Sequence, residues 1–129
     1  MEAIQKIRQI CPTTVQDRVK NGALIVDVRE RDEVNLLAFD VPKVVNIPLS
    51  EFDSRYKEIP QDIDVVTVCK GGGRSLRAAG FLINHGYEHV ENMQNGLVKW
   101  VEKGFPTKGN TTDFLSNGGT DCCSTSGCC

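Results

Sequence analysis

Residues 65–75 read VVTVCKGGGRS, and in them a short run of strand character ends at Cys69 before Lys70, Gly71, Gly72, Gly73, Arg74 and Ser75. A thiol at the end of a buried strand, on a loop almost without side chains, has the makings of a nucleophile. Ser75 is expected to open a helix, so the N–H groups of its first turn and the positive end of its dipole face the loop. Lys70 and Arg74 precede that end and Arg77 falls within the first turn. Cations there are disfavoured by a few tenths to about 1 kcal/mol each, and an anion held in the loop would offset this. The three glycines permit a tight curl whose N–H groups converge on one point, a nest for anions. A cysteine facing such a nest is favoured as the thiolate, its nucleophilic form. The competing reading is a plain strand-to-helix turn with an incidental buried cysteine. Strand, cysteine, three glycines, arginine and helix start in that order favour the nucleophile.

The elements that must position this loop follow from periodicity. ALIVDV (23–28) is a near-continuous apolar run of strand length, suited to a parallel strand covered on both faces. KVVNIPL (43–49), DVVTV (64–68) and HVENM (89–93) read as further strands, and IQKIRQI near the start as an edge strand. Helices are expected from Thr13 to Lys20, where Thr13 and Gln16 have capping-box spacing and Gly22 can end the helix, and from Ser50 to Glu58. RDEVNLLAF holds a helical turn or two. The helix from Ser75 to His85 buries Leu76, Ala79, Gly80 and Ile83, and GLVKWVEKG (96–104) forms the last helix, with Trp100 in the core. Strands alternating with helices over short loops make an α/β fold with a mostly parallel sheet. Ligands of such sheets sit beyond the carboxyl ends of the strands, where Cys69 lies. Asp27 and Arg29, two apart at another strand end, share one face and suit an ion pair beneath the site, with support of the site as its functional version.

The chain of 129 residues is 40% hydrophobic and 25% charged, with a net charge of −2. That is one domain's length, and the charge argues against nucleic acid as partner. No apolar run has membrane-spanning length, and a charged N-terminus without a signal-peptide core points to a cytoplasmic protein with no membrane partner. Two of the six cysteines, Cys11 and Cys69, fall within the folded region, and the other four crowd the last eight residues, which is no disulfide framework. Cys11, before Pro12, suits a packing role.

The chain resembles the rhodanese family. CKGGGRS fits that family's six-residue active loop, Cys69 to Arg74, followed by a helix, and LIVDVRE (24–30), VVNIPLSEF (44–52) and NMQNGLVKWVEKGFP (92–106) resemble its other signature segments, so the likeness spans about residues 10–106. It implies a three-layer α/β/α domain over residues 1–106 with a mostly parallel five-stranded sheet in the order 1-5-4-2-3. It also implies a sulfurtransferase in which Cys69 is the catalytic residue and Lys70 to Ser75 bind the donor. The donor would be a small sulfur-containing anion or a persulfide, and the acceptor a thiol, on a protein or small molecule, or cyanide. No cofactor and no general base is needed, which leaves His85 and His89 as helix-end and loop residues. Cysteine phosphatases and arsenate reductases place five residues between cysteine and arginine. This chain has four, which suits a single outer sulfur better than a tetrahedral oxyanion. A Walker A loop is excluded because its Gly-Lys-Ser/Thr ending is absent. The rival of another class is a non-catalytic binding or metal-sensing module, against which the intact loop argues. Where relatives often carry Gly-His-Ile-Pro-Gly-Ala, this chain has AFDVPKVV (38–45), a departure that bears on acceptor preference.

From Thr107 the composition turns to Gly, Ser, Thr and Asn, the mark of a flexible tail over 107–129, ending in Cys122, Cys123, Cys128 and Cys129. Three readings stand side by side: incidental thiols, a soft-metal ligand set, or a relay that takes sulfur from Cys69. Only Cys123 and Cys128 have zinc-like spacing.

Overall fold

The computed structural model describes residues 7–109. Their strands are β1 (Arg8–Ile10), β2 (Leu24–Asp27), β3 (Leu37–Phe39), β4 (Val44–Asn46), β5 (Val65–Val68), β6 (Val90–Met93) and β7 (Thr107–Gly109). The helices are α1 (Pro12–Lys20), α2 (Arg31–Leu36), α3 (Phe52–Arg55), α4 (Gly73–Asn84) and α5 (Gly96–Glu102). Five strands form one sheet in the order β1-β6-β5-β2-β4, every neighbouring pair parallel. Numbered within that sheet alone, this is the order 1-5-4-2-3, and the fold is the three-layer α/β class expected from the sequence.

The apolar runs of β2 and β5 are buried on both faces because alternate residues feed two cores. Ile25, Val66 and Val68 pack with Val15 of α1 and Leu97 and Trp100 of α5. Val26 and Val65 pack with Phe52 and with Ala78, Ala79 and Leu82 of α4. β5 is the central strand, so Cys69, its next residue, emerges at the middle of the sheet's carboxyl edge. No helix among the described residues is long and apolar enough to cross a membrane.

Several elements differ from expectation. α1 starts at Pro12, with Cys11 at the cap position and no side-chain cap, so Thr13 and Gln16 do not form the capping box. Proline at the first helical position supplies the fixed φ and lacks an N–H that would have no partner within the helix. The strand expected over 43–49 is only Val44–Asn46, since Pro48 has no N–H for a ladder. The helix expected over 50–58 is a 3₁₀ turn (Leu49–Glu51), the single turn α3 and a second 3₁₀ turn (Tyr56–Glu58). Ser50 does not cap it, because its hydroxyl donates to the Glu30 carboxylate at 3.1 Å. α4 begins at Gly73, two residues before Ser75, which moves its fully buried stripe to Ser75, Ala78, Ala79, Gly80 and Leu82, with Leu76 and Ile83 on the flank.

β3 and β7 form a separate antiparallel pair, Leu37 opposite Gly109 and Phe39 opposite Thr107. The folded unit therefore continues three residues past Pro106. Buried Leu37 and Phe39 hold one side of this ribbon, and the Pro106 carbonyl accepts both the Trp100 indole N–H (2.8 Å) and the Asp40 N–H (3.1 Å). Trp100 is wholly buried, edge-on to Phe39 and Phe105.

Candidate active site

Cys69 is 1% exposed, and its Sγ receives two backbone donors, the N–H of Gly72 at 3.0 Å and that of Ser75 at 3.4 Å. The loop achieves this by turning back on itself at Gly72, whose φ of +104° is open to glycine and strained for other residues. A Cβ there would also lie 3.3 Å from the Asn95 nitrogen. Gly71 and Gly73 are different: a Cβ on either meets nothing within 4 Å. One of the three glycines is therefore required by the backbone, and the other two leave the rim above the thiol bare. The donors on sulfur are residues 72 and 75 rather than a run of consecutive glycines.

Ser75 does not open the helix. Standing at its third position, it donates its hydroxyl to the Gly72 carbonyl at 3.1 Å, a bond that closes the turn while its N–H points at Cys69. Asn92 of β6, fully buried, donates to Gln9 at 3.1 Å and accepts from the Thr67 hydroxyl at 3.3 Å, and its amide also reaches the Gly72 carbonyl at 3.5 Å.

The loop's carbonyls are tied back from the other side. The first turn of α5 donates Leu97 N–H to the Cys69 carbonyl (2.8 Å) and Val98 N–H to the Lys70 carbonyl (3.2 Å). Helix N-termini carry such unpaired donors, and here they hold two carbonyls outward while the loop's own N–H groups turn in. Gly96 makes the approach possible: its φ is +54°, and a Cβ would sit 2.3 Å from the Lys70 carbonyl oxygen. In the sequence Gly96 stands out only as part of the 92–106 segment and as an Asn-Gly turn signal after β6, with nothing to show its contact with the loop.

Arg74 forms a two-pronged ion pair with Glu33 of α2, at 2.8 and 3.0 Å. Glu33, also missed, occupies the third position of α2 and accepts the Glu30 N–H at 3.1 Å in a capping box. The signal was present in the three-residue spacing of Glu30 and Glu33. The Arg74 hydrogen bond, then the Glu30 N–H, outweigh partial burial and hold the Glu33 carboxyl down from 4.5 to about 2. A carboxyl titration by NMR is expected to find its midpoint near 2. Because the folded value lies below the unfolded one, the pair's stabilisation is full above pH 4.5 and fades as pH falls through about 2. A midpoint at the ordinary 4.5 would mean that the pair does not form in solution.

Asp27 and Arg29 are a buried ion pair, 1% and 2% exposed, closest at 2.9 Å. Arg29 also donates to the carbonyls of Leu37 (2.7 Å) and Glu33 (3.5 Å) and lies over the Phe39 ring. The pair thus fixes α2 and β3 against the end of β2, and it meets the thiol loop through Glu33 and Arg74. Lys70 and Arg77 are exposed. His85 ends α4, about 18 Å along the helix from the loop, stacked on Phe81 with a ring nitrogen 2.8 Å from the Phe81 carbonyl. His89 offers its carbonyl to Val65 N–H at the strands' amino ends. A depression of about 820 Å³, lined in part by Arg18, Asp64, His89 and Glu91, lies at that same amino end, away from Cys69. Cys11 lies at the N-cap of α1, its sulfur 3.7 Å from the Thr14 hydroxyl. Cys122, Cys123, Cys128 and Cys129 lie outside the described residues.

A family model described as Rhodanese-like domain matches residues 12–103. A sulfurtransferase of Allochromatium vinosum is 35% identical over 83 residues, covering 64% of this chain and 76% of that protein. Thiosulfate sulfurtransferase 18 of Arabidopsis thaliana is 32% identical over 101 residues, covering 68% of this chain and 74% of that protein. Among solved structures, a rhodanese-related protein of Thermoplasma volcanium has a TM-score of 0.70 at 28% identity, with 78% of this chain and 97% of that one covered.

Proposed function

The chain belongs to the rhodanese-like domain family, and from that membership we propose that it is a sulfurtransferase carrying a sulfane sulfur as a persulfide on Cys69. The observation that carries the reading is the pair of backbone N–H groups aimed at a buried Sγ, one from Gly72 in the loop and one from Ser75 in the first turn of α4. Fixed donors of this kind stabilise negative charge without reorganising, as an oxyanion hole does.

In the first half-reaction the Cys69 thiolate attacks the outer sulfur of thiosulfate. A bond forms between Sγ and that sulfur, the donor's S–S bond breaks, and sulfite leaves with the electron pair. A persulfide donor reacts in the same way, with a thiolate as leaving group. In the second half a thiol or cyanide attacks the outer sulfur and Cys69 departs as thiolate. Attack by a thiolate needs no general base. Lys70, Gly71, Gly72, Gly73, Arg74 and Ser75 form the donor's surroundings. The bare backbone at Gly71 and Gly73 leaves room for the outer sulfur, and Asp27 and Arg29 hold the frame below.

Intact-mass measurement tests this. After treatment with thiosulfate the protein is expected to gain one sulfur atom, located on Cys69 by peptide mapping and removed by cyanide as thiocyanate. A protein that gains no sulfur from thiosulfate or from a persulfide is not a transferase of this kind.

A further inference from the structure

Arg74, with Lys70 one of the loop's two cations, is next to Ser75, whose N–H points at the thiol. Both ends of its guanidinium are nevertheless taken by Glu33. Glu33 is held independently of that pairing. Its carboxylate accepts the Glu30 N–H, and its carbonyl accepts from Arg29, itself locked to Asp27. A carboxylate fixed at this place subtracts a unit of charge from a rim that otherwise carries Lys70, Arg74 and Arg77. Its depressed titration, near 2, keeps that subtraction in force at every pH where a thiolate acts.

We propose that Glu33 is a specificity-determining residue: paired with Arg74, it lowers the positive potential at the mouth of the Cys69 loop and so favours singly charged sulfane donors, such as persulfides, over dianionic ones. The inference rests on the persulfide reading above and names the donor class of the same site. Its physical content is a scaling. Coulomb energy is proportional to the donor's charge, so removing the Glu33 charge helps a dianion by the square of the factor by which it helps a monoanion.

The test compares thiosulfate, a dianion, with benzenethiosulfonate, a monoanion. Each passes its outer sulfur to Cys69 and releases sulfite or benzenesulfinate with the electron pair. Glu33→Gln keeps the capping contact, which glutamine also makes, and removes the charge together with one of the two Arg74 contacts, because its NH2 group cannot accept. At low ionic strength the second-order rate of Cys69 loading, read by quenched intact mass, is expected to rise roughly threefold with benzenethiosulfonate and roughly tenfold with thiosulfate. Both gains should shrink in about 0.5 M salt, where the screening length falls below about 5 Å. Glu33→Ala, which also frees Arg74, should give the same ordering of donors. Equal changes with the two donors, or a fall with both, would make Glu33 a fixer of loop shape and overturn the proposal while leaving the persulfide reading standing. A wild-type protein that loads from neither donor ends both.

Discussion

Cys69→Ser is expected to reduce sulfur transfer to background, a loss on the order of a thousandfold or more, in a protein that still folds. The hydroxyl oxygen is smaller than the sulfur and so fits the closed environment of Cys69, whose donors, Gly72 and Ser75 N–H, it can also accept from. The stability change should stay below about 2 kcal/mol, within the range of ordinary substitutions. What the hydroxyl cannot do is ionise at neutral pH or hold a stable sulfane sulfur. Thiocyanate formation from thiosulfate and cyanide, together with a thermal melt, makes the comparison. Turnover near the wild-type rate in this variant would remove Cys69 from the reaction.

Gly96→Ala is expected to damage the site from outside it. The new methyl would lie 2.3 Å from the Lys70 oxygen and 2.6 Å from the Cys69 oxygen, both backbone atoms that cannot swing aside. Overpacking, together with the cost of a left-handed backbone for alanine, puts the destabilisation at about 2–4 kcal/mol. The relief available is to push α5 off the loop, which breaks the Leu97 and Val98 hydrogen bonds and lets the Cys69 and Lys70 carbonyls turn. Urea unfolding should show a lowered midpoint, and persulfide loading should fall in the protein that remains folded. Gly71→Ala and Gly73→Ala are the controls, since their methyls enter open space. They should change stability by less than about 1 kcal/mol. A Gly96→Ala protein as stable as these two would contradict the clamp described here.

The central strands and the thiol loop are legible in the sequence because burial on both faces leaves near-continuous apolar runs at 23–28 and 65–68, broken only by Asp27 and Thr67, and because a cysteine before three glycines has few structural uses. What escapes is set by partners distant in the chain. Gly96 is required by the backbone of residues 69 and 70, and nothing local distinguishes it from any glycine in a turn. Glu33 looks like one more charge on a solvated helix until Arg74, 41 residues later, is brought to it. β7 has no apolar alternation of its own, since its pairing comes from β3 and from the Pro106 carbonyl that fixes its start. The segment 49–58 has helical residues throughout, yet Ser50 is drawn to Glu30 and the helix fragments. Local pattern carries the layers of this fold, while the refinement of its loop is tertiary.

The clamp that α5 places on the loop also fixes a moment in the life of the chain. Cys69 leaves the ribosome before the residues that clamp its loop, and Val98, the second donor, follows it by 29 positions. At synthesis rates of about 5–20 residues per second, that interval is roughly 1–6 s. Through it the nascent chain carries its thiol on an unclosed loop, open to oxidation toward sulfenic and higher acids. The loop takes its final form only when β6 has joined the sheet and the next turn has swung Leu97 and Val98 onto the carbonyls of Cys69 and Lys70. The chain order thus sets a birth window in which the loop that holds Cys69 is unclosed, and its length follows from the speed of translation.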